Sequence, residues 1–302
     1  MRRFLFTSRP VCRSDSPGAA RAAGASLPRR SFLAALLCAG MPVAALAAPA
    51  APRRVVSLGG SVTEIVYDLG QGGRLVADDL SSLYPEAATR LPRVGYYRAV
   101  PVEGVLALRP DLVLASENAG PPQALARLES LGLAVRRVSD APSVDSLYRR
   151  VAQIAEVLGV PRAGETLVAR LRAQIDAARA LQAPRRRALL LVNRSGQFQA
   201  AGRDTAANAL LQLAGLDNAL AQQRGYKPVS AEGLAALAPE MIVITTASLR
   251  AVGGMAALRA RPGVADTPAA RAGRIVAMDD LLALGLGPRL ALAIRDLKQA
   301  AQ

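Results

Sequence analysis

Residues 102–116, VEGVLALRPDLVLAS, align without a gap on residues 231–245, AEGLAALAPEMIVIT. Both segments read as a Glu-Gly pair, a short apolar helix, a proline, an acid and a run of apolar strand residues. TEIVYDLG (63–70) has a looser counterpart in NALLQLAG (208–215). Helix-Pro-acid-strand is a common idiom of α/β proteins, but an ungapped match of 15 residues that keeps both Glu-Gly pairs constrains the chain further. A repeat at this spacing means two similar lobes. A chain of 302 residues is long enough for each to bury a core.

The strand-like runs fall into two series. Those at 53–58, 74–77, 111–116 and 133–138 alternate with helical patterns, the order expected of a parallel α/β sheet. From Ser143 to Leu181 the pattern is helical almost throughout, broken only at Gly159-Val160-Pro161. Leu167, Leu171 and Ile175 recur four apart there, an amphipathic stripe on one long helix. A second α/β series then runs through 187–193, 240–246 and 274–279. The fold class read from this is α/β: two Rossmann-like lobes, each with a mostly parallel sheet, joined by one long rigid helix. The expected boundaries are an N-terminal lobe over 48–158, a linking helix over 159–183 and a C-terminal lobe over 184–302.

Residues 1–47 read as a signal peptide. SLPRRSFLAALLCAGMPVAALAAPA (26–50) holds a basic region, an apolar run from Phe32 and then small residues. Arg29-Arg30 followed by Phe32-Leu33 is a twin-arginine signature, and Ala45-Leu46-Ala47 fits the cleavage rule. As a membrane anchor the apolar run is short, and Pro42 interrupts it. Leu37 stands where a lipoprotein signal needs a small residue, so Cys38 is not read as a lipid anchor. The leader carries seven arginines and one aspartate, so its removal takes the net charge from +15 to +9. Cys12 and Cys38 leave with it. With no histidine or tryptophan either, the mature chain has no thiol or imidazole for a metal or a nucleophilic mechanism. The arginines are scattered rather than striped, which argues against nucleic acid. A small anionic ligand or an anionic membrane suits an exported cationic protein better.

Several words of the sequence carry a resemblance: SLGGSVTEIVYDLG, SSLYPEAA, LPRVGYYRAVPVEGVLALRPDLVLASENAGPP, AAGRDTAANALLQLAG, YKPVSAEGLAALAPE and LLALGLGPR. With the two lobes and single linking helix, they make the chain resemble the class III periplasmic substrate-binding proteins of ABC importers, over residues 53–300. Within that group it is most similar to the haem-binding branch. The resemblance implies a monomer of the periplasm, which the twin-arginine signature of the leader would export. It would carry haem (hemin) as its transported ligand and deliver it to an inner-membrane ABC permease and its ATPase, with no enzymatic step. Ferric siderophores and cobalamin are carried by the same broad family, so a carrier of that type is the alternative. An enzyme on the same scaffold would need a nucleophile–base pair or a phosphate loop, and the sequence offers neither.

In such folds ligands bind between the lobes, at loops on the strand ends. VGYYRAV (94–100) is one such loop, after Pro85 and Pro92. From the residues alone Tyr96 and Tyr97 are equally amphipathic loop residues, half packed and half wet. The resemblance implies that Tyr96, directly after the glycine, ligates haem iron as a phenolate. It makes Tyr97 a pocket wall and second-choice ligand. Arg98 is a candidate to lower the phenol's pKa or to meet a haem propionate. Relatives that add a histidine from the second lobe do so near RALLLVNRSG. Here Asn193-Arg194-Ser195 occupies that region, leaving a five-coordinate site or a weak sixth ligand. Tyr226 and Lys227 are the expected contribution of the second lobe. Lys227 keeps the charge of the arginine often found there but not its fork, and is equally a solvated lysine. Gly59 and Gly60 let backbone approach a flat ligand or simply form a tight turn, with Ser61 and Glu64 as a capping box. Glu103 and Glu232, equivalent in the repeat, look like the acids that dock such proteins on their permease, a role compatible with helix N-terminal acids.

Overall fold

Every residue of β1 (Val55–Leu58) is buried, as in a strand covered on both faces. The computed structural model describes residues 51–194 and 196–302; the expected signal segment lies outside them. After β1 come α1 (Gly60–Asp68), β2 (Leu75–Ala77), α2 (Glu86–Thr89), α3 (Val102–Ala107), β3 (Leu112–Ser116), α4 (Pro122–Ser130), β4 (Ala134–Val138) and α5 (Val144–Val157). The first sheet has the order β2-β1-β3-β4 and is parallel throughout.

One long helix follows, α6 (Pro161–Ala180). Its 20 residues span about 30 Å. It starts on Pro161, whose missing N–H costs nothing at a helix start. Leu167, Leu171 and Ile175 are buried as the stripe predicts, joined by Ala178. They share one core with residues of α1, α5 and both lobes.

The second series comprises β5 (Arg187–Arg194), β6 (Gln197–Ala201), α7 (Ala206–Leu213), β7 (Asp217–Asn218), β8 (Tyr226–Pro228), α8 (Ala231–Leu237), β9 (Met241–Thr245), α9 (Thr246–Ala251), α10 (Met255–Arg259), α11 (Pro268–Arg271), β10 (Ile275–Met278), α12 (Asp280–Leu284) and α13 (Leu290–Ala300). Helix α13 packs on α6, and Lys298 donates to the carbonyls of Arg179 (2.9 Å) and Leu181 (2.5 Å) at the end of α6. The sheet order is β10-β9-β5-β6-β8, with β7 beside β5. Strands β10, β9, β5 and β7 pair in parallel, whereas β6 and β8 are antiparallel, so this sheet is mixed. The added strands are short and part polar, and periodicity does not mark them.

The repeat lands on matching elements. Its two copies become α3 then β3, and α8 then β9. Both turns pass through a left-handed non-glycine residue, Arg109 (φ 48°) and Ala238 (φ 45°). Each lobe caps the preceding helix with an arginine from its first strand region: Arg54 donates to the carbonyls of Leu108 and Arg109, and Arg187 to that of Leu237. The acid after each proline, Asp111 or Glu240, accepts backbone N–H groups from those same strands. One local mechanism, used twice, gives the two sheets the same start.

Between the lobes lies a layer of buried charge. Arg289 donates to both oxygens of Glu64 on α1 (2.9 and 3.4 Å), and Arg150 on α5 donates to the Leu286 carbonyl (3.1 Å). Burial pushes Glu64 above the usual carboxylate range, against the pull of Arg289.

Candidate functional site

The loops at the C-terminal strand ends face one another across this charged layer. From the first lobe come the segments after β1, β2, β3 and β4. From the second come the end of β5, the start of α7, the start of β8 and α12. Tyr96, Tyr97, Arg98, Asn118 and Asp140 face Arg194, Thr205, Tyr226 and Leu284 across a cavity of about 1100 Å³. A smaller cavity of about 200 Å³ shares Tyr96, Tyr97, Asp140 and Leu284 and ends on Gly59, Gly60 and Gly285. The larger cavity alone slightly exceeds the range of about 300–1,000 Å³ usual for small-molecule pockets, as a bulky ligand needs.

The tyrosine loop is held by backbone. Val94 N–H bonds the Asp78 carbonyl (2.9 Å) and Leu80 N–H the Gly95 carbonyl (2.8 Å), so residues 92–95 run alongside the segment that leaves β2. Gly95 then turns the chain at φ 97°, a conformation that strains any side chain. The Tyr96 carbonyl accepts from Ala99 N–H (2.8 Å), and Tyr97 and Val100 exchange bonds with Gly120 (2.9 and 2.8 Å). This geometry leaves the Tyr96 side chain 43% exposed to the cleft and turns Tyr97 onto the core. The rings meet edge to face at 5.0 Å.

Each lobe sets an arginine over a tyrosine. Arg98 stands 4.9 Å from the Tyr97 ring centre and Arg194 stands 5.3 Å from that of Tyr226. Burial pushes the Tyr97 phenol well above its ordinary value, and Arg98 only partly offsets it. Tyr226 is pushed up to about 12 by burial, while Arg194 and Arg98 pull the other way and Tyr96 adds to the rise. Desolvation lowers the Arg98 pKa, but the Tyr97 and Tyr96 phenols within its reach together more than offset it, so that it is raised. The half-buried phenols of Tyr97 and Tyr226 are therefore poor anions, and Tyr96 is the exposed ring. Of the acids lining the two cavities, Asp140 pairs with Arg150, Asp204 with Arg224, and Asp280 accepts from Thr246 and Ala247.

The structure thus brings together Tyr96, Tyr97, Arg98, Tyr226, Gly59 and Gly60. Lys227 is exposed on β8 and stands outside the lining of both cavities. Gly60 is required by its neighbour, since a Cβ there would sit 2.2 Å from the Ser81 carbonyl oxygen. The capping box on Ser61 and Glu64 does not form. Helix α1 begins two residues earlier than that box requires, with Gly59 as N-cap; Ser61 instead accepts from Arg150 (2.6 Å), and Glu64 turns to Arg289. Glu103 and Glu232 are exposed in the first turns of α3 and α8. Its own backbone N–H and the Ser230 side chain lower the Glu232 pKa from its ordinary value. Sequence reasoning gave no role to Arg194, Asp140 or Asp79. Only the strand-end position of Arg194 and Asp140 could have marked them.

Beside this loop Asp78 is fully buried with neither carboxylate oxygen hydrogen-bonded, although Arg93 Nε lies 3.3 Å from Oδ1. Burial pushes it to about 7, with Arg93 lowering and Asp79 raising it. The folded state therefore holds this proton more tightly than the unfolded chain, whose value is near 3.8. The resulting stabilisation is full below the unfolded value and is lost as pH rises through about 7. Urea unfolding at a series of pH values should show stability falling across that window in the wild type and a flatter profile in Asp78→Asn. Equal slopes would contradict it.

The family model described as periplasmic binding protein matches residues 55–282. The chain is similar in structure to the periplasmic heme-binding protein RhuT from Roseiflexus sp. RS-1 in apo form, with 40% identity, 83% of this chain and 99% of that one covered, and a TM-score of 0.79. It is similar as well to the periplasmic heme-binding protein BhuT in complex with two hemes, with 42% identity, 82% and 97% covered, and a TM-score of 0.77. A vitamin B12-binding protein of Yersinia pestis (strain Pestoides F) is 31% identical over 199 residues, 65% of this chain and 70% of that protein.

Proposed function

The chain belongs to the periplasmic binding protein family, and from that premise we propose that it captures haem in the interlobe cleft and delivers it to an ABC importer of the inner membrane. The observation that carries the reading is the exposed Tyr96 phenol beside Arg98, facing Tyr226 and Arg194 across a cleft without a competing thiol or imidazole. Ferric iron is hard and accepts a phenolate, an axial ligand that haem proteins use. Arg98 and Arg194 would meet the propionates, and the start of α7, with Thr205 and Ala206 on the cavity wall, adds a positive helix end. Tyr97 and Leu284 would wall the macrocycle. The heme-binding neighbours at 40% and 42% identity support haem over the corrin of the 31% relative.

Haem is here the cargo: apart from the reversible exchange of the phenol proton for the iron, no covalent bond is made or broken. The protein's contribution is to hold the phenol in place, supply cations for the carboxylates and exclude water from the ring faces. Purified protein titrated with hemin should show a Soret band and a phenolate-to-iron charge-transfer band. Cyanocobalamin should give no binding signal at the same concentrations. Corrin binding without hemin binding would overturn the reading.

Glu103 and Glu232, at equivalent places on the two lobes, suit arginines on a partner of near two-fold symmetry. Reversal of both to arginine should abolish haem-dependent growth through the cognate importer while leaving the hemin spectrum unchanged. Normal uptake by the double variant would remove the docking role. Export by the twin-arginine route belongs to the same proposal and is tested by the location of an Arg29→Lys, Arg30→Lys precursor.

A further inference from the structure

The Tyr96 loop crosses the cleft wall on hydrogen bonds to several other loops, and one buried carboxylate joins three of them. Asp79 is fully buried. Its Oδ1 accepts the Gly59 N–H (3.0 Å) and the Ser82 hydroxyl (3.1 Å). Its Oδ2 accepts the Tyr97 N–H (3.2 Å) and the Ser81 N–H (3.0 Å). The Ser81 hydroxyl, which itself accepts from Gly60 N–H (2.8 Å), lies 2.9 and 2.8 Å from the two oxygens. Behind Ser82 the hydroxyls of Thr63 and Ser57 continue the chain at 2.7 Å per step. On the other side Arg93 donates to the Asp79 carbonyl (2.6 Å).

We propose that Asp79 is the positioning residue of the ligand loop, fixing the Tyr97 amide and through it the direction in which Tyr96 enters the cleft. A carboxylate that served only the fold would be satisfied by Gly59, Ser81 and Ser82, all on one wall. The bond to Tyr97 is the one that reaches the ligand loop, and it falls on the residue next to the exposed phenol. Backbone N–H groups on opposite sides of one rigid carboxylate set the spacing between the Gly59-Gly60 turn and the tyrosine, the two sides of the smaller cavity. A hydrogen bond to a charged acceptor is about twice as strong as a neutral one, so to the backbone bonds on either side of the tyrosines this carboxylate adds an anchor at the Tyr97 amide itself. The spectroscopic consequence rests on the haem reading; the anchoring itself does not.

The test uses the mature protein and Asp79→Asn, which keeps the shape but puts a donor where one acceptor stood. It cannot accept from Gly59 and Tyr97 together. With hemin added, the charge-transfer band should weaken, the Soret band should shift, and transfer of hemin to excess apomyoglobin should be about tenfold faster or more. Ser82→Ala removes one donor to the same carboxylate and leaves the Tyr97 bond, so it should keep the wild-type spectrum and transfer rate even if its urea midpoint falls. Amide hydrogen exchange on the hemin-free protein is the second arm. Tyr97 should lose protection in Asp79→Asn while Val56 and Val113, in the central strands, keep theirs. If the asparagine variant does not fold, Asp79→Glu is measured in the same way, since its extra methylene displaces the carboxylate in an enclosed site. A folded variant with unchanged spectrum, transfer rate and Tyr97 protection overturns the proposal. If wild-type protein takes up no hemin, the haem reading falls, and the exchange arm alone decides the anchor.

Discussion

Tyr96→Phe is expected to leave a folded protein that no longer shows the phenolate-to-iron band and loses hemin affinity by about a hundredfold, on the order of 2.7 kcal/mol. The substitution removes one oxygen and keeps the ring. Because the side chain is 43% exposed, the unfolding free energy should move by no more than about 0.5 kcal/mol. Removing groups that merely orient a ligand to a metal costs ten- to a hundredfold, so loss of the ligand itself should reach the upper end of that range or pass it. Tyr97→Phe and Tyr226→Phe are the comparisons. Both phenols sit in surroundings that disfavour the anion, Tyr226 up to about 12 and Tyr97 also raised. Each should retain the charge-transfer band, with changes confined to the Soret position and the rate of release. An unaltered spectrum in Tyr96→Phe together with a lost band in either of the others would move the ligand to that residue.

How far the sequence anticipated this site follows from what periodicity reports. The apolar runs of β1, β3, β5 and β9 are buried on both faces, so their composition alone marks them, and the repeat placed two of them in matching positions. The stripe on α6 was as plain. Strands β6 and β8 were not legible, because antiparallel pairing depends on partners that local pattern does not contain, and β7, two residues long, is too short to carry a period. The loop VGYYRAV was legible as a site by its residue types. Its arrangement was not: that Tyr96 is the exposed ring and Tyr97 the packed one depends on Gly95 and on backbone bonds to Gly120. Ser61 and Glu64 illustrate the opposite failure. Their spacing fits a local cap, but an arginine from another element, the buried Arg150 or the partly buried Arg289, competes for each side chain, and the long-range pairs win.

The other large effect lies beneath the cleft, at Arg150. Its guanidinium is fully buried, and burial holds its pKa down while Asp140 supports it. One nitrogen, Nη1, bonds Asp140 and the Ser61 hydroxyl; Nη2 bonds the Leu286 carbonyl; and Nε has no partner. Asp140 is in turn held by the Ser116 hydroxyl (2.6 Å) and Asn118. Asp140→Ala therefore leaves a full positive charge in the interior with only neutral acceptors. Breaking a buried pair from one side costs about 3–5 kcal/mol. For a chain of this size that corresponds to a fall in Tm of roughly 10 °C. Asp140→Asn, which keeps an acceptor and loses the charge, should fall between the two. The double variant Asp140→Ala, Arg150→Met removes both charges and should regain most of the loss, because a buried ion pair contributes little net stability over an apolar replacement of similar volume. Recovery should stay incomplete, since a thioether side chain offers no donor to the Leu286 carbonyl that Arg150 now reaches across the lobes. Calorimetry of the three variants decides it: a double variant no more stable than Asp140→Ala would mean that the stability resides in the interlobe hydrogen bonds of Arg150 and not in its charge balance.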